Sequence, residues 1–476
     1  MAVVHAEQAL AAVAAVAPEN LGSAGFRADH GVRYAYVAGS MYKAVASEDM
    51  VVRMGRAGLL SYFGTGGLRS DRVIAAVRRF ERELGEGPYG FNLLAGGDNP
   101  RKEEEQVGIF LRHGVRRVEA ASFVRPTPAV VRYRLTGVRP ARDGSVHVPN
   151  RVMAKVSRPE VARSFLEPAP SAMVGDLLAR GLLTAEEADL AARVPMADDL
   201  VAEADSGGHT DQRPMVILLP DTVRQRDMAA REFPAAAGVR VGAAGGLGTP
   251  HAVAAAFVMG ADFVLTGSIN QCTAQCGTSE TVKDMLQQAD VHDMALVPAG
   301  DMLETGARAQ VLRRGLFYPA RANRLYELYR RHGSLEELDP ATAEQLQRRY
   351  FRRSFDEVWE ETRAYYRQAD PDTLARAERD PKHRMLLVFK AYFVQSIRLA
   401  MSGSAEHQVD YQINCGPAMG ALNALLRGTE REDWRNRHVD ELADLLMAGA
   451  AQLLSERMRA MAGPDPVPAS PYRRLP

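Results

Sequence analysis

Cysteine is scarce in this chain: Cys272, Cys276 and Cys415 are the only three in 476 residues. So small and odd a number in a long chain excludes a disulfide framework and points to a reducing compartment. Cys272 and Cys276 stand four apart, but no second Cys/His pair follows at ligand spacing, so no metal site is expected. Net charge is missing too, with 59 Lys and Arg against 59 Asp and Glu. That removes any whole-molecule attraction to nucleic acid or a membrane surface. No run of about 18 uncharged apolar residues occurs, which argues against a membrane span. Residues 1–17 are alanine-rich and carry Glu7 with no Lys or Arg before it. The cationic start of a secretory signal is absent, and a cytoplasmic location is expected. Two glycine-rich stretches, Gly64-Thr-Gly66-Gly67 and Gly242-Ala-Ala-Gly245-Gly246-Leu-Gly248, lack G-x-G-x-x-G spacing, and no G-x-x-x-x-G-K-[ST] occurs. A dinucleotide-type Rossmann site and a P-loop are therefore unsupported. No internal repeat is evident.

What is present is ordinary for a soluble globular enzyme: 46% apolar residues, 25% charged, and 40 glycines that gather at the ends of apolar runs. Short β-rich runs at 34–38, 59–63, 89–94, 117–119, 152–156, 200–202, 239–243 and 262–266 alternate with helical stretches such as 47–57, 70–84, 100–113 and 250–259. Parallel strands need crossover helices and a closed ring has no exposed edge, so such units predict an α/β fold, a TIM (β/α)8 barrel, over 31–277. An open doubly wound sheet is the alternative. Residues 1–30, broken by Pro18, Gly22 and Gly25, read as an N-terminal helix and linker. After Ser268 the alternation stops, and 278–402 reads as a helical subdomain for substrate or carrier protein. Residues 403–462 form a C-terminal segment with a second glycine knot, Asp410 to Gly420, expected to return to the barrel. The Pro-rich tail 463–476 is expected to be disordered.

Barrel active sites lie at the carboxyl ends of the strands. Those ends carry Ala38-Gly39-Ser40-Met41, Asn92, Lys155, Gly207-Gly208-His209, Gly245-Gly246 and Thr266-Gly267-Ser268. Glycines after the last two strands free backbone N–H groups to face a phosphate, helped by the helix that starts near Pro250. The alternative for each is a tight strand-to-helix turn. His209 follows a glycine pair, as a proton-handling imidazole near a closely approaching ligand would; a capped turn accounts for the same three residues. Between residues 307 and 353 eleven Arg face five acids. This suits a docking face for an acidic partner or a site for the extra phosphate of NADPH, and equally helices with solvated, paired Arg.

At these residues the sequence resembles the PfaD-type trans-acting enoyl reductases of polyketide and polyunsaturated fatty acid synthases, which are similar to FabK-type enoyl reductases and nitronate monooxygenases. The resemblance runs from about Phe26 to about Arg459. It rests on the ordered set Ala38-Gly39-Ser40-Met41, Gly55-Arg-Ala-Gly58, Phe91-Asn92-Leu93, Ala154-Lys155-Val-Ser157-Arg-Pro-Glu160, Asp205-Ser206-Gly207-Gly208-His209-Thr210, Ala244-Gly245-Gly246-Leu247-Gly248, Thr266-Gly267-Ser268-Ile269-Asn270-Gln271 and Asp410 to Gly420. It implies an FMN-binding barrel that reduces the 2,3 double bond of an enoyl thioester on an acyl carrier protein with NADPH or NADH. Gly245, Gly246, Gly267 and Ser268 would cradle the FMN phosphate. Ala38, Gly39 and Met41 would back the flavin ring, and Asn92 and Lys155 would meet its pyrimidine edge. Ser157, Gly207, Gly208 and Gly416 would complete the cofactor site.

His209 and Lys155 are then the catalytic candidates: the cation for charge that collects near flavin N1, the imidazole for the proton that reaches the α-carbon or polarises the thioester carbonyl. A nucleophilic Cys415 would need a general-base partner that the sequence does not identify. The implied partner is an acyl carrier protein domain, with a homodimer allowed and neither nucleic acid nor membrane expected. Two departures from the family pattern, Leu303 at an aromatic position and Leu68-Arg69 after Gly66-Gly67, are expected at the substrate cover. A nitronate monooxygenase-like flavin oxidase, with His209 as base, and a non-catalytic assembly factor that binds carrier protein are the other readings.

Overall fold

The computed structural model describes residues 16–97 and 99–462, and the chain divides into two compact units. The expected start of the first helix and the tail 463–476 lie outside the described residues.

The first unit comprises Met1–Ala204, Arg213–Gly277 and Arg435–Pro476. Its centre is a closed ring of eight parallel strands: β1 Tyr36–Ala38, β2 Leu60–Phe63, β3 Tyr89–Leu94, β4 Arg117–Ala121, β5 Arg151–Val156, β6 Asp199–Glu203, β7 Arg240–Ala244 and β8 Val264–Thr266. Each strand pairs with its sequence neighbours and β8 closes on β1, with Val37 opposite Leu265. The TIM barrel is therefore the fold, with every strand within a few residues of the run that marks it in the sequence. Side chains alternate across each strand. Val118, Ala120, Val152, Ala154 and Leu200 turn outward into a core shared with Val77, Phe80 and Phe110 of the helices 70–84 and 100–112. Tyr62, Met153, Val201, Phe263 and Leu265 turn inward and fill the barrel. Large rings fit there because the strand beside each one offers glycine: a Cβ on Gly90 would lie 2.4 Å from the Tyr62 ring, and one on Gly242 2.4 Å from Phe263.

The residues read as a linker are part of this core. The helix Ala24–His30, capped by Ser23, buries Phe26 completely and stacks it on Phe263 at 4.5 Å. At that end of the barrel Asp199 accepts from His30 Nε2 at 2.8 Å and from Arg240 Nε at 2.6 Å. Burial pushes the Asp199 carboxyl up, but His30 and Arg240 more than offset this and hold it at about 2. The helix Val439–Ala462 packs on Pro250–Val258, and Arg53 of the helix Glu48–Arg56 pairs with Asp440 at 2.6 Å.

The second unit comprises Asp205–Gln212 and Thr278–Trp434. It differs from the expected divisions at both ends: 205–212 leaves the span read as barrel, and of 403–462 only the part from 435 onward belongs to the barrel unit. A three-stranded antiparallel sheet, with Met294–Pro298 and Gly208–His209 flanking Arg308–Leu312, packs against the helix Tyr318–Arg331 and shares its core with the helices Phe355–Ala369 and Pro381–Ser402. Pro381–Ser402 is the one helix among the described residues long and apolar enough to cross a membrane, but half of that apolar stretch is buried. Its Phe389, Tyr392 and Phe393 pack in this unit's core with Tyr318 and Trp359. Leu303, expected at the substrate cover, is fully buried in the same core. Residues 340–351 run as an α-helix Pro340–Gln345 into a π-helix Leu346–Phe351.

Candidate active site

The period-two alternation that points Met153 into the barrel also points Lys155 inward, one residue before the carboxyl end of β5. Glu119 on β4 and Glu203 on β6 are inward for the same reason. Lys155 Nζ lies 2.6 Å from Glu203 and 3.7 Å from Glu119. Burial lowers the Lys155 ammonium, but the two carboxylates outweigh it and raise it, so Lys155 stays charged. Burial raises the Glu119 carboxyl, opposed by Lys155 and by Ser40. Ser40, in the loop after β1, donates its N–H to Glu119 Oε2 at 2.9 Å and its hydroxyl to Oε1 at 3.0 Å. Asn92 stands opposite Glu119 in the strand register and donates its amide to the Glu119 carbonyl at 3.2 Å, while its own carbonyl accepts from Thr65 and Gln106.

The Glu119 carboxylate thus gathers two of the sequence candidates, Lys155 and the Ala38-Gly39-Ser40-Met41 loop, and the Glu119 backbone carbonyl holds a third, Asn92. The sequence reading missed Glu119 and Glu203 as site residues. Their signal was the same alternation that selects Lys155, since a charged residue on the inward face of a barrel strand needs a charged partner.

At the ends of β7 and β8 the backbone turns sharply. Gly245 and Gly246 sit at φ 94° and 73°, where a side chain is strained, and a Cβ at Gly246 or Gly267 would point into open space. Thr249 caps the helix Pro250–Val258 by accepting from Ala252 N, and Ser268 opens the short helical turn Ser268–Cys272. Ser157 directly follows β5.

The remaining candidates lie in the second unit. Gly207 packs so closely on Cys415 and Gly416 that a Cβ would come within 2.8 Å of their backbone. Gly208, at φ 80°, pairs with Gln310 and His209 pairs with Ala309. Asp205 accepts from Gln310 Nε2 at 3.1 Å and from Thr210 Oγ1 at 3.1 Å, which ties the stretch to the sheet. His209 is half-exposed, and its Nε2 lies 2.9 Å from Asp301 Oδ1. Burial raises the Asp301 carboxyl, but His209 outweighs it and the carboxyl falls below its usual range. Cys415 is buried with its Sγ 3.6 Å from the Gly416 carbonyl. No group of three or more potential metal ligands occurs among the described residues.

A closed parallel ring with a buried, paired lysine and glycine-rich strand ends on one rim defines a TIM-barrel protein with its site at the carboxyl ends of the strands. Comparison with known proteins narrows that class. The chain is 40% identical, with a TM-score of 0.89, to the crystal structure of the enoyl reductase domain of MlnA from the macrolactin biosynthesis cluster of Bacillus amyloliquefaciens, covering 93% of this chain and 99% of that one. It is 49% identical over 453 residues to the polyketide biosynthesis protein PksE of Bacillus subtilis, covering 95% of this chain and 59% of that protein. It is 44% identical over 414 residues to a polyunsaturated fatty acid synthase subunit of Thraustochytrium, covering 86% of this chain and 28% of that relative. Residues 332–411 match the family model of the inserted helical domain of [acyl-carrier-protein] S-malonyltransferase. The chain belongs to the PfaD-type enoyl reductases of polyketide and polyunsaturated fatty acid synthases. It spans little more than half of PksE and about a quarter of the Thraustochytrium protein.

Proposed function

We propose that this protein reduces the 2,3 double bond of an enoyl thioester carried on an acyl carrier protein, using FMN and NADPH or NADH, in polyketide or polyunsaturated fatty acid biosynthesis. The observation that carries the reading is the paired cation Lys155 on the same rim of strand ends as the glycines of β7 and β8. The residues fit FMN: open space at Gly246 and Gly267 leaves room for a phosphate against backbone, and Gly245 and Gly246 adopt a turn that side chains would strain. Gly245, Gly246, Gly267 and Ser268 would hold the phosphate; Ala38, Gly39 and Met41 would back the ring; Asn92 and Lys155 would meet its pyrimidine edge, with Ser157, Gly207, Gly208 and Gly416 as further contacts. Bound FMN supplies a hydride to the β-carbon of the enoyl thioester.

Lys155 offers a positive charge where negative charge collects, and Glu119 and Glu203 fix where that ammonium sits. His209 delivers the proton that the α-carbon requires, or polarises the thioester carbonyl. The test is the visible spectrum of the purified protein. A flavin band that bleaches with NAD(P)H and returns on adding a crotonyl-type thioester, with the saturated thioester formed, supports the reading. A protein that takes up no FMN, or one whose flavin a nitronate bleaches fast and NADPH only slowly, overturns it.

A further inference from the structure

We propose that Asp301 is the positioning residue for His209: its carboxylate accepts the Nε2–H, fixes the orientation and tautomer of the ring, and stabilises the imidazolium that supplies the proton. The inference rests on the role proposed for His209 and adds a residue to it.

The geometry comes from one sheet. His209 lies on the short edge strand paired to Arg308–Leu312, with Ala309 opposite it and Thr210 N donating to the Arg308 carbonyl at 3.1 Å. Asp301 lies in the helical turn Gly300–Thr305, which joins the other two strands of that sheet. Both ends of the 2.9 Å contact are therefore anchored to the same central strand, although the two residues are 92 apart in sequence.

The turn itself is fixed from below. Leu303 is fully buried, and Gly300 packs so tightly on Phe393 that a Cβ would come within 2.4 Å of it. Lys390, on Pro381–Ser402, donates to the Asp301 carbonyl at 2.9 Å and to Glu304 at 3.0 Å. The Asp301 backbone is thus held by packing and by a charged donor, while its carboxylate stays 66% exposed beside a ring that is 47% exposed.

An exposed ion pair stabilises a fold by only about 0–1 kcal/mol, so stability is a poor account of so well supported a turn. A carboxylate on one ring nitrogen of a histidine that must carry a proton does have a known use. It selects the tautomer and favours the charged form. In the reduction, the N–H bond of the imidazolium breaks and its electron pair stays on the ring nitrogen. The proton joins the α-carbon, and the hydride that bound FMN would supply at the expense of NAD(P)H joins the β-carbon. The neutral ring is reprotonated from solvent, which its exposure allows. Lys390, reaching the Asp301 carbonyl from its helix, is a positive charge beside the pair, and its own partner in the turn is Glu304.

The experiment compares Asp301→Asn, Asp301→Glu and His209→Ala with the parent protein. It uses histidine 15N NMR on the purified protein and steady-state kinetics with a small enoyl thioester. In Asp301→Asn the His209 resonances should move away from the Nε2–H tautomer and its titration should fall to lower pH. The same variant should lose about tenfold or more in kcat with KM little changed and FMN still bound, and Asp301→Glu should recover part of the loss. If Asp301→Asn leaves the His209 resonances and kcat unchanged while His209→Ala is impaired, the proposal fails and the role of His209 stands. If His209→Ala itself turns over normally, the reading of His209 fails first.

Discussion

His209→Ala should keep FMN and still lose turnover by about 10²–10⁴, measured by NAD(P)H oxidation with an enoyl thioester, because a positioned proton donor is removed while the barrel rim is untouched. Lys155 is a different case. It sits between two carboxylates, so Lys155→Met removes a cation and leaves Glu119 and Glu203 facing each other. Weaker FMN binding, read by fluorescence titration, should accompany any loss of rate there. Asp199, at the opposite end of the barrel, serves stability. Its carboxyl is held at about 2 in the fold against about 4 in the unfolded chain. The unfolded state therefore binds the proton more readily, and the stabilisation from Asp199 is fully present above about pH 4 and lost as pH falls towards 2. Asp199→Asn should lower unfolding free energy near neutral pH by about 3–5 kcal/mol, since the buried Arg240 loses its counter-charge. It should also flatten the acid limb of a urea-denaturation series.

Among the elements, the glycine turn after β7 carries the phosphate reading. Gly246→Val would strain a backbone at φ 73° and place methyl groups in the open space proposed for the phosphate. The parent protein should bind FMN more tightly than riboflavin; in Gly246→Val that preference should collapse, and an unchanged preference would move the phosphate elsewhere. The arginine-rich helices prove uneven. Arg352 pairs with the buried Asp410 at 3.2 Å, Arg321 and the Tyr392 hydroxyl contact the same carboxylate, and Arg353 pairs with Glu361. Of the neighbouring pair on the π-helix, Arg348 contacts Glu344 at 3.1 Å in an exposed i,i+4 pair. Charge reversal at Arg348 and Arg349 should thus raise KM for carrier-bound substrate but not for a small thioester, whereas Arg352→Glu should lower the melting temperature. A composition count sees only an excess of Arg; which of them are spent on internal carboxylates depends on chain segments far away.

Across the whole molecule, the barrel unit is built from three separate stretches of chain, the last being Arg435–Pro476. Truncation before residue 435 should leave the barrel poorly folded, read as lost cooperative melting, because Val439–Ala462 covers Pro250–Val258 and supplies Asp440 to Arg53. The eight strands, the helices between them and the glycine-rich strand ends were legible in the sequence, because side-chain alternation, helical period and turn glycines are local properties of the backbone. Asn92 and Lys155 could be placed on one rim for the same reason. The carboxylates that hold Lys155 could not, nor could the membership of 205–212 in the second unit, the burial of Leu303 or the pairing of His209 with Asp301. Glu119 and Ser40 are 79 residues apart, and His209 and Asp301 are 92 apart. Such partners meet only once a ring closes or an edge strand pairs. Local pattern therefore decided which residues point at a site, and tertiary structure alone decided which charges face each other there.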